Sequence, residues 1–455
     1  MAATTHTARF RSDVPALGAE RPVTWPARPR KKLSNGLEVV LVESHSIPKF
    51  HGELMIRSGN SDASAGVADL TATVARTGTA RRSSHEIEDD LRSWGADLGT
   101  TSGADIGAIE FAGLSEFAPK ILELVAELAA QASFPEDEFE REKRQKLEEL
   151  AISRTTPDFL AMERIRKVMY GEHPYANYAP TADQVSAFTR ETLANFYSAH
   201  YRPSRALMVI VGDFAPAKMM DEIERAFSDW SGAAPERAAR PNPPERKGRR
   251  VYLVHLPGAV QAQIITGNRV ITRKHPDWLR LALANNIFGG AFNSRLVANI
   301  REQKGYTYSP RSGASSLREY AMFNVNAAVR NEVVAATLTE IFYELDRIRS
   351  LPVTAAELEN AKNYMTGVFS LQLGTQEGML GQLTGALIDE LPEDYLETFR
   401  DRIRSMTADD VIGAARKYFD SANTQIVVVG DKNAIGEQAA LFGDVTTFDA
   451  QGNHI

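Results

Sequence analysis

Residues 189–214 read TRETLANFYSAHYRPSRALMVIVGDF, and residues 407–432 read TADDVIGAARKYFDSANTQIVVVGDK. Each begins with a threonine able to cap a helix (Thr189, Thr407), continues as an amphipathic helix and a turn, and closes on an apolar strand ending in Gly-Asp. The two are 218 residues apart. FPEDEFEREKRQKLEELAIS (134–153) answers LPVTAAELENAKNYMTGVFS (351–370), with Pro135 and Pro352 offset by 217. In the later copy Thr354 and Glu357 make a capping box. A repeat above 200 residues is too long for a solenoid and means two homologous domains.

The remaining elements follow one plan twice. In the first half, strands are expected at 37–43 and 52–57 after the Asn35-Gly36 turn. Helices follow at 66–76 and 84–94, the latter opened by Ser83 and Glu86. Strands at 97–103 and 106–113 then precede a helix over 117–131 with the stripe Ile121, Leu124, Val125 and Leu128. The second half repeats this with strands at 250–256 and 261–267, helices at 277–288 and 293–302, and strands at 307–315 and 321–330. In the last of these Phe323, Val325, Ala327 and Val329 alternate with polar residues, as in a half-buried strand. Paired strands separated by paired helices give an α+β class, two homologous domains of mixed, mostly antiparallel sheet packed on helices. Expected boundaries are an extended arm over 1–30, a first domain over 31–230, a Pro/Ala/Arg-rich linker over 231–249 and a second domain over 250–455.

Composition removes whole classes of chemistry. Of 455 residues none is cysteine, so disulfides, thiolate nucleophiles, Cys-ligated zinc and iron–sulfur clusters are excluded. The nine histidines are scattered, with no two three or four apart, so no helix face presents a His pair to a metal. A net charge of −7 argues against a nucleic-acid partner. No run approaches the ~20 apolar residues of a spanning helix, so no membrane association is expected. The first residues show no apolar signal core. A chain whose leader had been removed would belong to the bacterial periplasm, and otherwise to the cytoplasm.

LSNGLEVVLVESHSIP (33–48), GVADLTATVARTGT (66–79) and FGGAFNSRLVANIREQKGYTYS (288–309) resemble segments of the pitrilysin/insulinase family of zinc peptidases, most of all its bacterial short-chain group, related to mitochondrial processing peptidase. The likeness runs over roughly 30–440 and includes the duplication. It implies a chain forming half of a clamshell. Active members carry His-x-x-Glu-His, whose histidines one helical turn apart reach a single Zn²⁺ while the Glu serves as base. Here Gly66, Ala68, Gly78 and Thr79 keep the surrounding frame. Asp69, Ala72 and Thr73 replace the first His, the Glu and the second His, and Glu149 matches the downstream third ligand.

The resemblance also implies that Arg301 and Tyr308, seven apart, are the family's Arg/Tyr pair, suited to a substrate carbonyl and its oxyanion. Tyr306 lacks that motif position. Gly289-Gly290 reads as a helix C-cap. Gly99, Gly103 and Gly107 lie where the family offers an edge strand to extended substrate. The leading expectation is a non-catalytic subunit of a heterodimeric zinc metallopeptidase. It would carry no metal of its own, and a homologous zinc-binding partner would act on a peptide with Arg301 and Tyr308 supplied in trans. The alternatives are an inert structural or binding protein, like core subunits of respiratory complexes, and a self-sufficient hydrolase using other residues.

Overall fold

The computed structural model describes residues 24–455. Its first sheet comprises β1 (Arg30–Lys32), β2 (Glu38–Glu43), β3 (Lys49–Ile56), β4 (Asp97–Ser102), β5 (Gly107–Leu114) and β6 (Ala206–Gly212), in the order β1-β2-β6-β3-β5-β4. The second comprises β7 (Val251–His255), β8 (Gln261–Val270), β9 (Arg311–Ser316), β10 (Ala321–Arg330), β11 (Gln425–Gly430) and β12 (Val445–Phe448), in the order β12-β7-β11-β8-β10-β9. β2 runs parallel to β6 and β7 to β11, and the pairs from β6 to β4 and from β11 to β9 are antiparallel. The outermost strands break the repeat. β1 precedes β2 and is antiparallel to it, whereas β12 comes from the end of the chain and is parallel to β7.

The two apolar strands of the quoted repeat, β6 and β11, are buried along their whole length because both sheet faces are covered. In β6, Met208 and Ile210 point into the layer of first-half helices, while Leu207, Val209 and Val211 join a core shared with the second half. That sharing comes from an exchange of helices. Pro157–Tyr170 leaves its own half and packs on β8 and β11, setting Leu160, Ile165 and Met169 against Ile265, Val427 and Val429. Gln376–Ile388 does the reverse, carrying Met379, Leu380 and Leu383 to β3 and β6. The boundaries read along the sequence are therefore not the packing boundaries, since each half completes the other's core. The polar face of β10 is solvated only at its end, where Ala328 and Arg330 are exposed. Asn326 accepts from Gln263 at 2.6 Å and donates to Asp158 of the exchanged helix at 3.0 Å.

The expected linker has no helix or strand from 231 to 250, yet it is pinned. Arg240, its side chain 9% exposed, pairs with Asp62 of the first half at 2.6 Å and Glu319 of the second at 2.8 Å. Beside it the Tyr175 hydroxyl donates to Asp105 at 2.7 Å, and the Arg318 backbone N–H donates to the same carboxylate at 3.0 Å. Pro-rich composition suggested a spacer; the buried guanidinium makes it a strap. Of the arm expected over 1–30, residues 1–23 lie outside the described residues. The remainder is docked: Trp25 is buried against Phe369, Arg28 pairs with Glu397, and Arg30 opens β1. No helix among the described residues is long and apolar enough to cross a membrane.

Candidate functional site

The helix Val67–Ala75 starts after Gly66, whose φ of 85° is left-handed and whose absent Cβ leaves room for Pro180 Cγ at 2.6 Å. Gly78 is packed as closely, since a Cβ there would meet Pro135 and Ser133 at 2.9 Å. Thr79, buried, donates its hydroxyl to Glu127 at 3.0 Å and accepts from the Arg82 backbone N–H at 2.9 Å. Packing and turn geometry thus account for three of the motif's frame residues without any metal. On the same helix, Ala72 is 1% exposed and presents only a methyl group. The Thr73 hydroxyl donates back to the Asp69 carbonyl oxygen at 3.2 Å. The Asp69 carboxylate faces Lys146 Nζ at 2.5 Å, on the helix Glu136–Ser153, and the same ammonium lies 3.9 Å from Glu149. Among the described residues no group of three His, Cys, Asp or Glu side chains stands close enough to hold a metal ion. A carboxylate bound to lysine, a methyl group and a back-bonded hydroxyl do not fit tetrahedral zinc.

Arg301 and Tyr308 are brought together, with a residue the sequence did not single out. The helix Trp278–Asn285 runs into a π-helical turn at Asn286–Gly290, and a second π-helical stretch, Val297–Gln303, carries Arg301. Between them lies Phe292. The Arg301 guanidinium carbon sits 4.7 Å from the centroids of both the Phe292 and Tyr308 rings, a cation held between two aromatic faces. Phe292 is 73% and Tyr308 80% exposed, so little of either ring is covered. Tyr306 instead packs against the second-half core, its N–H donating to the Ile300 carbonyl at 3.0 Å. The only sequence signal for Phe292 was its place inside the glycine-led frame.

That loop is held from beneath. Arg295, buried, forks onto Glu357 with Nε–Oε1 at 2.7 Å and Nη2–Oε2 at 3.1 Å. Glu357 also caps its own helix by accepting from the Thr354 N–H at 2.8 Å. Burial pushes the Glu357 carboxyl up, but the Arg295 fork and the Thr354 N–H outweigh it and hold it at about 2. Asn299 donates to Glu340 and Glu344, both at 2.9 Å, tying the second π-helical stretch to the helix Val334–Ser350. Gly289 and Gly290 are not a left-handed cap. They allow close approach, since a Cβ on Gly289 would meet Leu296 and Ser312 at 2.5 Å.

Gly99 lies within β4, an edge strand of the first sheet, while Gly103 and Gly107 frame the turn into β5. None of the three would bring a Cβ closer than 3.5 Å to another atom, so no steric need explains them. Gly99 helps line a cavity of about 560 Å³ between this sheet and the exchanged helix, together with His51, Glu53, Glu110 and Glu377. Glu53 and Glu110 sit opposite one another across β3 and β5. Burial, and then the Glu110 charge, push the Glu53 carboxyl up. Among the described residues, no hydrogen bond or ion pair joins the Asp69 and Arg301 clusters.

The fold agrees with known proteins. Residues 39–180 match insulinase (peptidase family M16), and residues 187–365 match the peptidase M16 inactive domain. The chain belongs to peptidase family M16. An uncharacterized zinc protease of Streptomyces coelicolor is 25% identical, covering 85% of this chain and 86% of its own. The uncharacterized zinc protease YmxG of Bacillus subtilis is 24% identical, with 84% and 96% covered. A crystal structure of a peptidase M16 inactive domain from Pseudomonas fluorescens superposes with a TM-score of 0.84 at 27% identity, over 90% of this chain and 99% of that one. A protease from Helicobacter pylori shares the fold at 0.83 and 21% identity, over 90% and 100%.

Proposed function

We propose that this chain is the metal-free, non-catalytic subunit of a two-chain zinc peptidase, and that it supplies Arg301 and Tyr308 to a peptide bound against a homologous zinc-binding partner. One observation carries the reading. The Asp69 carboxylate is taken up inside the chain by Lys146 from another helix, whereas Arg301 is set between two exposed rings and its Nε meets, among the described residues, only the neighbouring, largely exposed Glu302, at 3.3 Å. A guanidinium and a phenol are the donors suited to a peptide carbonyl and to the negative charge it gains on attack. The metal and the general base belong to the partner. The open edge of β4 offers backbone groups to an extended peptide, with Gly99 leaving the approach clear.

The test is reconstitution. Alone, the chain should retain no stoichiometric zinc and cleave nothing. Mixed with a homologous chain bearing His-x-x-Glu-His, it should give peptidase activity. Arg301→Ala or Tyr308→Phe should lower kcat/KM about 10²–10³-fold without dissociating the complex. Zinc-dependent cleavage by the isolated chain would overturn the proposal. Full activity in both variants would leave only a structural or binding role.

A further inference from the structure

We infer that Lys146 is a built-in replacement for the metal: its ammonium occupies the cation position between Asp69 and Glu149, so the chain refuses zinc by occupancy and charge as well as by missing ligands. This deepens the metal-free part of the function proposed above and does not depend on the partner.

Asp69 and Glu149 stand at the register of the family's first and third ligands, on helices 77 residues apart at the Asp69–Lys146 contact. Of the three ligand positions they are the two that still bear a charge, and one ammonium bonds the first at 2.5 Å and lies 3.9 Å from the second. Two carboxylates converging from packed helices need a cation between them. Lysine can provide one from within the chain, as a compact charge with three donors on a flexible stem. The remaining groups at the site are already engaged. Gln145 donates to the other Glu149 oxygen at 3.1 Å, and the Thr73 hydroxyl is turned to the Asp69 carbonyl. Glu149 is brought near the ammonium by i,i+3 spacing on the same helix, but Asp69 lies on another helix, so its pairing with Lys146 is a choice of the tertiary packing.

The experiment uses the full chain. The double substitution D69H/T73H rebuilds a histidine pair one helical turn apart, with Glu149 as third ligand and the tightly packed Ala72 left alone. It is made with Lys146 present and with K146M, which keeps the aliphatic stem and removes the charge. Zinc affinity is read by competition with a chromophoric chelator, and site geometry by the visible absorption of bound Co²⁺. D69H/T73H/K146M should bind one zinc at least about tenfold more tightly than D69H/T73H, because an ammonium beside the third ligand, Glu149, no longer repels the metal or competes for that carboxylate. Equal affinity in the two backgrounds would overturn the inference. If circular dichroism shows the histidine variants unfolded, K146M alone decides. Its melting temperature should rise with millimolar Mn²⁺ while that of the unaltered chain stays fixed, and identical behaviour would overturn the inference. Stoichiometric zinc in the unaltered chain would instead sink the metal-free reading itself.

Discussion

The helix pair carrying Asp69 and Lys146 and the loop carrying Phe292, Arg301 and Tyr308 stand where the sequence resembles the family's two motifs, and they are built in opposite ways. The first is closed on itself, with its charge balanced by a lysine of the same chain. The second keeps a cation between rings that are largely uncovered, on a loop braced by the Arg295–Glu357 fork. In the first region the Asp69 charge is thus met from within the chain. The other keeps its cation at the surface, between open rings and beside the exposed Glu302.

Four outcomes would break or sharpen this contrast. The largest effect belongs to Arg301: Arg301→Ala should cost the reconstituted peptidase about 10²–10³-fold in kcat/KM, while K146M in the same complex should change activity less than about twofold, having only a partly exposed pair to lose. The contrast also requires one rigid body, which Arg240 holds together. Arg240→Ala leaves Asp62 and Glu319 without their shared partner and should lower stability by about 3 kcal/mol in chemical denaturation.

The brace beneath the exposed loop should show in acid. The Glu357 carboxyl is held at about 2, below its ordinary range, so its stabilisation is complete above about pH 4.5 and is lost as the pH falls towards 2. Arg295→Ala should flatten that limb of the pH–stability curve and cost about 2 kcal/mol at neutral pH. A limb unchanged by the substitution would mean the fork contributes nothing. Smallest is Phe292→Ala. Removing one of two rings around Arg301 should raise KM of the reconstituted enzyme about fivefold with kcat nearly kept, on the order of 1 kcal/mol. An equal loss in kcat would place Phe292 in the chemistry instead.

Much of this was legible in the residues. The repeat at 218 announced two copies, and the capping boxes at Ser83 and Thr354 and the apolar strands β6 and β11 fell where the pattern put them. Among the site residues, the vacancy at Asp69, Ala72 and Thr73 and the pairing of Arg301 with Tyr308 both follow from register against the family motif. Phe292 did not, because an exposed aromatic inside a loop has no periodicity to mark it. Nor did Lys146, one of several lysines and arginines on a highly charged helix.

The sequence by itself determined the order and type of the elements, the duplication and the absence of a zinc motif, since each is written in a window of a few turns or in a direct repeat. Tertiary structure alone decided that Pro157–Tyr170 and Gln376–Ile388 change places, that residues 231–250 form a strap rather than a spacer, and that β1 and β12 close their sheets in opposite senses. It alone set Lys146 against Asp69. The physical reason is common to all four. A helix pattern shows that one face must be covered but not by what, and a buried charge shows that it needs a partner but not which one. Those choices are made by residues tens to hundreds of positions apart, when the two halves pack into one core.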